Sequence, residues 1–184
     1  MFTVKIFIFT IITVILFLIS RKSLTDIYSH GFYRFFVFEF IIILFLMNVD
    51  SWFSSLFSFS QIISWVLLII SLIFVIDGYR TLKAEGKQNE MRLETHLYEF
   101  EKTTQLVTKS IYQYIRHPMY SSLLFLTWGI LFKSISAIGI ILTIGTMIAL
   151  EMAVKIEESE NIEYFGDDYE IYMSKTKMFI PYIW

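Results

Sequence analysis

The 184 residues are enough for one domain, and 56% of them are apolar, with 19 Phe and a net charge of −2. This composition lies far outside the usual soluble range and indicates an integral membrane protein. The negative charge argues against a nucleic-acid partner, and the absence of cysteine excludes disulfides, thiolate nucleophiles and Cys-ligated zinc. The three histidines are too dispersed in sequence to suggest a metal site, so we expect no metal.

Three apolar windows, residues 4–20, 32–49 and 61–76, approach the length of about 20 residues that a membrane span needs. The first window lacks a small-residue cleavage site, and its basic pair, Arg21 and Lys22, follows the apolar run. We therefore expect an anchor that is retained and not a signal peptide.

An ionisable residue, Glu39, lies inside the second window. A charged group within a span is costly and is often functional. Two interpretations stay open, since Glu39 either pairs with Arg34 or lines a substrate path.

Residues 77–109 form the one substantial polar segment. Within it, Leu93, Leu97 and Phe100 recur at helical spacing, which predicts a short amphipathic helix along the membrane interface. The rest of the segment is expected to be a charged connector.

The next apolar region, residues 119–150, is too long for a single pass. We predict two short helices that turn at residues 133–136, which gives an all-α membrane protein of about five spans. Gly129, Gly139 and Gly145 are expected to let the two arms pack closely. We assign residues 1–76 to three N-terminal spans and residues 77–184 to the cofactor-binding region of the same structural domain.

Five passes would place all but two of the fifteen lysines and arginines on the cytoplasmic side, leaving Lys5 and Lys133 outside with the N-terminus. The hairpin has a functional consequence too. A single pass would separate residues 116–117 from residues 157–158 across the membrane, whereas a hairpin returns both to one face. We therefore expect a shared pocket on the cytoplasmic side.

Arg116 and His117 precede Pro118, which favours the first turn of a helix. The unpaired backbone N–H groups and the positive end of the helix dipole favour an anion there. The Arg116 guanidinium could donate two parallel hydrogen bonds to the same anion. The structural alternative is that Arg116 follows the positive-inside rule and His117 anchors at the interface.

Adjacent acids, Glu157 and Glu158, lie near the end of the returning helix. We expect at least one of them to face the bundle, where it would accept hydrogen bonds from an ammonium group or from ribose hydroxyls. The alternative is a solvated acidic helix end. Glu151, with Lys155 four residues on, is expected to be structural.

Further along, Gly166 is expected to stop this helix, and Asp167 or Asp168 to cap the next one. Tyr169 and Tyr172 would then share one side of the new helix. Such tyrosines either belong to the aromatic belt or wall an adenine or sulfonium site.

Many of these positions form an ordered series in the last 80 residues. The series comprises Leu106, Val107, Thr108, Tyr112, Arg116, His117, Pro118, Met119, Tyr120, Gly129, Glu157, Glu158, Phe165, Gly166, Tyr169, Tyr172 and Pro181. It resembles the isoprenylcysteine carboxyl methyltransferase and phospholipid methyltransferase superfamily of integral membrane methyltransferases. The chain departs from the family pattern at Ser110 and at Ser121-Ser122, where the family often has Gly, and at Asn161, where it usually has Leu.

The resemblance implies an enzyme that takes S-adenosylmethionine from the cytosol and a lipophilic acceptor from the bilayer, among membrane lipids. It implies a set of cofactor-binding residues, namely Leu106, Val107, Thr108, Tyr112, His117, Tyr120, Glu157, Glu158 and Tyr169. It also implies catalytic roles for Arg116 and Glu158. An arginine would orient a carboxylate acceptor, whereas an amine acceptor would need a general base, either a glutamate or a histidine.

The function implied is closest to carboxyl O-methylation of a prenylcysteine. Alternatives are N-methylation of a phospholipid amine and S-methylation of a small thiol. Two other classes stay open: a nicotinamide-dependent membrane reductase and a membrane protein without enzymatic activity.

Overall fold

A computed structural model describes residues 2–86 and 103–184 of the chain. These residues contain six α-helices: α1 (Phe2–Ser20), α2 (His30–Asn48), α3 (Phe59–Glu85), α4 (Pro118–Leu131), α5 (Ala137–Phe165) and α6 (Asp167–Lys175). The all-α fold and the helical hairpin, which is α4 and α5, are confirmed, but the expectation of two short helices is wrong for α5, which has 29 residues. The predicted interfacial helix around Leu93, Leu97 and Phe100 lies outside the described residues.

Four helices, α1, α2, α3 and α5, are long and apolar enough to cross a membrane. The chain is accordingly a multi-pass membrane protein. Helix α4 has 14 residues, which corresponds to a length of about 21 Å, against a bilayer core of about 30 Å. A fifth complete pass, and the side on which each end emerges, stay predictions.

The bundle is built from two helix pairs, since α3 packs along α4 and α2 packs along α5. Helix α1 lies outside these pairs against α2, and none of its residues is buried. The Thr13 hydroxyl of α1 donates a hydrogen bond of 2.9 Å to Glu39 Oε2 of α2. Of the two interpretations of Glu39, the substrate path gains no support, because Glu39 is not among the residues that line the cavity described below.

Close approach of α3 and α4 depends on a glycine and on buried hydroxyls. A Cβ added at Gly129 would lie 2.8 Å from Leu68 Cδ2 of α3, and the Ser64 hydroxyl donates to the Gly129 carbonyl at 2.6 Å. A Cβ at Gly145 would instead meet the Phe40 ring of α2 at 3.2 Å. The prediction that all three glycines join the arms of the hairpin is therefore wrong for Gly129 and Gly145, and holds only for Gly139, whose Cβ would lie 3.0 Å from Leu131.

The α4–α5 turn closes one end of the bundle, which we call the turn end. Here the Lys133 ammonium lies 3.6 Å from the Trp65 ring centroid and 5.1 Å from that of Trp52. It also donates a hydrogen bond of 3.0 Å to Gln61 Oε1. Lys5 pairs with Asp50 at the same end at 2.6 Å. Arg116 and the acidic doublet lie at the other end, which we call the cavity end.

Candidate functional site

Backbone hydrogen bonds to Lys177, near the C-terminus, hold the segment that leads into α4. Arg116 N donates to the Lys177 carbonyl at 2.8 Å, and Lys177 N donates to the Tyr114 carbonyl at 3.0 Å. Helix α4 then begins at Pro118, with His117 as its N-cap residue. The predicted helix start is confirmed, and backbone hydrogen bonds fix Arg116 and His117 at it.

The acidic doublet of α5 meets this helix start. Glu158 Oε1 accepts a hydrogen bond from Arg116 Nε at 2.6 Å and lies 3.2 Å from His117 Nε2. Glu157 Oε1 lies 3.5 Å from His117 Nδ1. Residues that are about forty positions apart in sequence are thus joined, as the hairpin predicted.

Arg116 is bound on more than one side. Besides Glu158, its guanidinium donates to the carbonyls of Thr176 at 2.6 Å and Met173 at 3.3 Å. These bonds tie α4, α5 and the C-terminal residues together. Arg116 therefore has a clear role in holding the site, in addition to any contact with a ligand.

His117 is buried between the two carboxylates. Burial by itself lowers the pKa of His117, but the hydrogen bonds and negative charges of Glu157 and Glu158 outweigh it, so the pKa is raised above the ordinary value of 6.5. The imidazole consequently keeps its proton to a higher pH than a free histidine does.

A cavity of about 280 Å³ adjoins this cluster. Eight of the ten residues predicted from the sequence line it: Leu106, Val107, Tyr112, Arg116, His117, Tyr120, Glu157 and Tyr169. The other two, Thr108 and Glu158, do not line it. Glu158 contacts Arg116 and His117 without reaching the cavity, so Glu157 is the carboxylate on the cavity wall.

Aromatic side chains form the wall next to α6. The rings of Phe165 and Tyr169 are stacked with centroids 6.4 Å apart, and Tyr169 meets Tyr172 edge-on at 5.8 Å. The prediction that the two tyrosines share one side of α6 is confirmed, since both are buried and line the cavity. The Tyr172 hydroxyl donates to the Tyr112 carbonyl at 2.7 Å. Burial raises the pKa of Tyr169, and so do the negative charges of Glu157 and Glu158, which keeps the phenol neutral.

The turn between α5 and α6 differs in one detail from the prediction. Gly166 ends α5 with φ +60°, as expected for a glycine stop, but it is also the N-cap residue of α6. The prediction that Asp167 or Asp168 caps α6 is therefore wrong. Both acids lie in its first turn, where the helix dipole favours a negative charge.

The contacts of Ser110 explain how the chain accommodates a serine where the family often has a glycine. Its φ is +53°, a left-handed conformation that favours glycine. The Ser110 hydroxyl donates to Asp77 Oδ2 at 2.8 Å, and Ile111 N donates to the same oxygen at 3.2 Å. These bonds compensate for the strained backbone and orient the turn that carries Tyr112 into the cavity.

Helix α2 supplies residues that the sequence analysis missed. Arg34 and Phe38 line the cavity, and His30 Nδ1, one turn before Arg34, lies 2.8 Å from Glu160 Oε2 of α5. Asn161 and Phe165 of α5 also line the cavity. The available signal was the spacing of His30 and Arg34, which places two ionisable groups on one helical face beside an apolar run.

A family model described as phospholipid methyltransferase matches residues 59–168. The chain is 26% identical over 124 residues to a methanethiol S-methyltransferase of Crocosphaera subtropica, and this match covers 66% of the chain and 44% of that protein. It is 27% identical over 119 residues to methanethiol S-methyltransferase 1 of Bradyrhizobium diazoefficiens, which covers 64% and 39% respectively. The chain thus spans less than half the length of these curated relatives. No solved structure matches it.

Proposed function

Because the chain belongs to the phospholipid methyltransferase family, we propose that it transfers a methyl group from S-adenosylmethionine to an acceptor that reaches the cavity from the bilayer. The observation that carries the proposal is the cavity itself. Ionised groups and apolar side chains line the same space, as a water-soluble donor and a lipophilic acceptor require.

The lining residues fit the donor. The stacked pair of Phe165 and Tyr169 offers flat faces to a base or to a cation. Glu157 offers a carboxylate to an ammonium or sulfonium group, and the first N–H groups of α4 are suited to an anion. When bound, S-adenosylmethionine supplies an electrophilic methyl carbon attached to a sulfonium sulfur.

The contribution of the protein is mainly orientation and exclusion of water. His117 and Glu157 would contact the donor, while Glu158 holds both Arg116 and His117 through one carboxylate oxygen. We therefore assign Glu158 a positioning role in place of a role as a base.

The acceptor side is apolar. Phe38 of α2, Val75 and Leu82 of α3 and Leu123 of α4 line the cavity where the two helix pairs adjoin. We assign this seam as the route from the bilayer. A small thiol is our first candidate acceptor, because both relatives reported above are named methanethiol S-methyltransferases.

A phospholipid amine is the second candidate, since the family description names phospholipid methylation. The prenylcysteine carboxylate that the resemblance favoured is named by neither comparison. Moreover, Arg116, its expected partner, is bonded to Glu158 and to two backbone carbonyls.

The test is an assay of the protein in liposomes with S-(trideuteromethyl)-labelled S-adenosylmethionine and one acceptor at a time: a short alkyl thiol, a phosphatidylethanolamine or a prenylcysteine. Mass spectrometry should find the label in the thioether product. Glu157→Gln should abolish most of this label, whereas Glu151→Gln, a half-exposed helix residue, should not. Folded protein that labels none of the three acceptors, or that consumes NADPH instead, would contradict the proposal.

A further inference from the structure

In the sequence, Arg34 is considered only as a partner of Glu39, and the proposed function assigns it no role. It lies in α2, outside the residues 59–168 that the family model matches. Only 7% of its surface is exposed, and it lines the same cavity as Glu157. The contact of 2.8 Å between His30 and Glu160 fixes this part of α2 against α5. Arg34 is thus held at the cavity wall by the packing of two long helices.

The cavity wall therefore carries fixed charges of both signs. A carboxylate, Glu157, comes from α5, and a guanidinium, Arg34, comes from α2. The other guanidinium on the wall, Arg116, donates to Glu158 and to the carbonyls of Met173 and Thr176.

We propose that Arg34 binds the α-carboxylate of the methionine moiety of the methyl donor, while Glu157 receives its ammonium group. An amino-acid zwitterion presents both charges within a few bonds of each other, so it needs a cation and an anion on the walls of one cavity. A guanidinium also matches a carboxylate through two parallel N–H···O bonds. This assignment rests on the proposed function and deepens it.

The experiment compares two ligands that differ by the carboxylate alone, S-adenosylmethionine and decarboxylated S-adenosylmethionine. Titration calorimetry on the 184-residue protein in detergent gives both dissociation constants. Arg34→Gln should weaken binding of S-adenosylmethionine by about tenfold or more, equivalent to about 1.4 kcal/mol, and should leave the decarboxylated ligand within about twofold. Arg34→Lys should fall between, because an ammonium lacks the planar fork.

Arg21→Gln is the matched control, since Arg21 is exposed and is not among the lining residues. Equal weakening of both ligands by Arg34→Gln would assign Arg34 a purely structural role and overturn the proposal, as would no weakening of either. An altered KM for the acceptor with an unchanged donor affinity would also overturn it, because the carboxylate would then belong to the acceptor.

The wild-type protein provides a test that does not depend on a variant that folds. It should prefer S-adenosylmethionine to the decarboxylated ligand by about tenfold or more, the same 1.4 kcal/mol. Equal affinity for the two would overturn the Arg34 assignment and leave the proposed function standing. A folded wild-type protein that binds neither ligand would contradict the proposed function itself.

Discussion

The two ends of the bundle bury a cation in different ways. At the turn end, Lys133 lies over the rings of Trp65 and Trp52 and donates to the neutral amide of Gln61. At the cavity end, Arg116 and His117 share one carboxylate, that of Glu158, beside an open cavity. The turn end therefore stabilises its cation by aromatic rings, whereas the cavity end stabilises its cations by ion pairs with a carboxylate.

The difference indicates which end is built for a ligand. Aromatic faces and a neutral amide stabilise the Lys133 cation without an ion pair, so this contact needs no ligand to complete it. Ion pairs in a low-dielectric site are costly to assemble and are sensitive to the loss of one partner. That cost is typical of a functional site, and the cavity end also has the space for a ligand.

The largest expected effect comes from removing the shared carboxylate. Glu158→Gln should lower the free energy of unfolding by about 3 kcal/mol or more, because it leaves the Arg116 side chain, which is only 9% exposed, without its anion. Denaturant titration in detergent measures this. The control, Glu151→Gln, breaks a half-exposed pair with Lys155 and should cost less than about 1 kcal/mol. Equal losses in the two variants would remove the distinction between the ends.

A smaller effect is expected at the turn end. Lys133→Met should lower the free energy of unfolding by about 2 kcal/mol, the value of a desolvated cation–π contact. Donor affinity should stay within about twofold, because Lys133 lies at the end opposite the cavity. Lys155→Met, at a half-exposed position, is the stability control and should change little. A loss of donor affinity in Lys133→Met would show that the two ends are coupled.

The two ends should also respond to pH with opposite signs. The folded state raises the pKa of His117, so its contribution is complete below 6.5 and is lost as the pH rises through the raised pKa. Burial lowers the pKa of Lys133 from 10.5, so the unfolded state binds more protons and stability from this group increases as the pH rises towards 10.5.

Unfolding measured in steps from about pH 6 to 10 would separate these contributions, at about 1.4 kcal/mol for each unit of pKa difference. Stability should fall through neutral pH in the wild type and in Lys133→Met, and should fall by a smaller amount in His117→Asn. A wild-type profile that rises through neutral pH would contradict the arrangement around His117.

Much of the site was predictable because it depends on local signals and on one topological step. Pro118 marks the start of α4, the length of the apolar region 119–150 requires two helices, and a hairpin then brings residues 157 and 158 back to residue 117. Gly166 marked the end of α5 for an equally local reason, since only glycine adopts its positive φ without strain.

The rest depends on how helices rotate against one another. Arg34 and Glu157 share a cavity because α2 packs along α5, a contact between segments more than a hundred residues apart that no local pattern records. The partners of Gly129 and Gly145 were mispredicted for the same reason. The N-cap of α6 was misplaced by one or two residues, because Gly166 both ends α5 and caps α6.

Affinity for the product S-adenosylhomocysteine shows whether the cavity beside His117 and Glu157 binds the methyl donor. Calorimetry should show binding by the wild-type protein, unchanged in Glu151→Gln and weakened by about tenfold or more in both His117→Ala and Glu157→Gln. Wild-type protein that gives no binding heat, or two site variants that fold and bind as tightly as the wild type, would contradict the account.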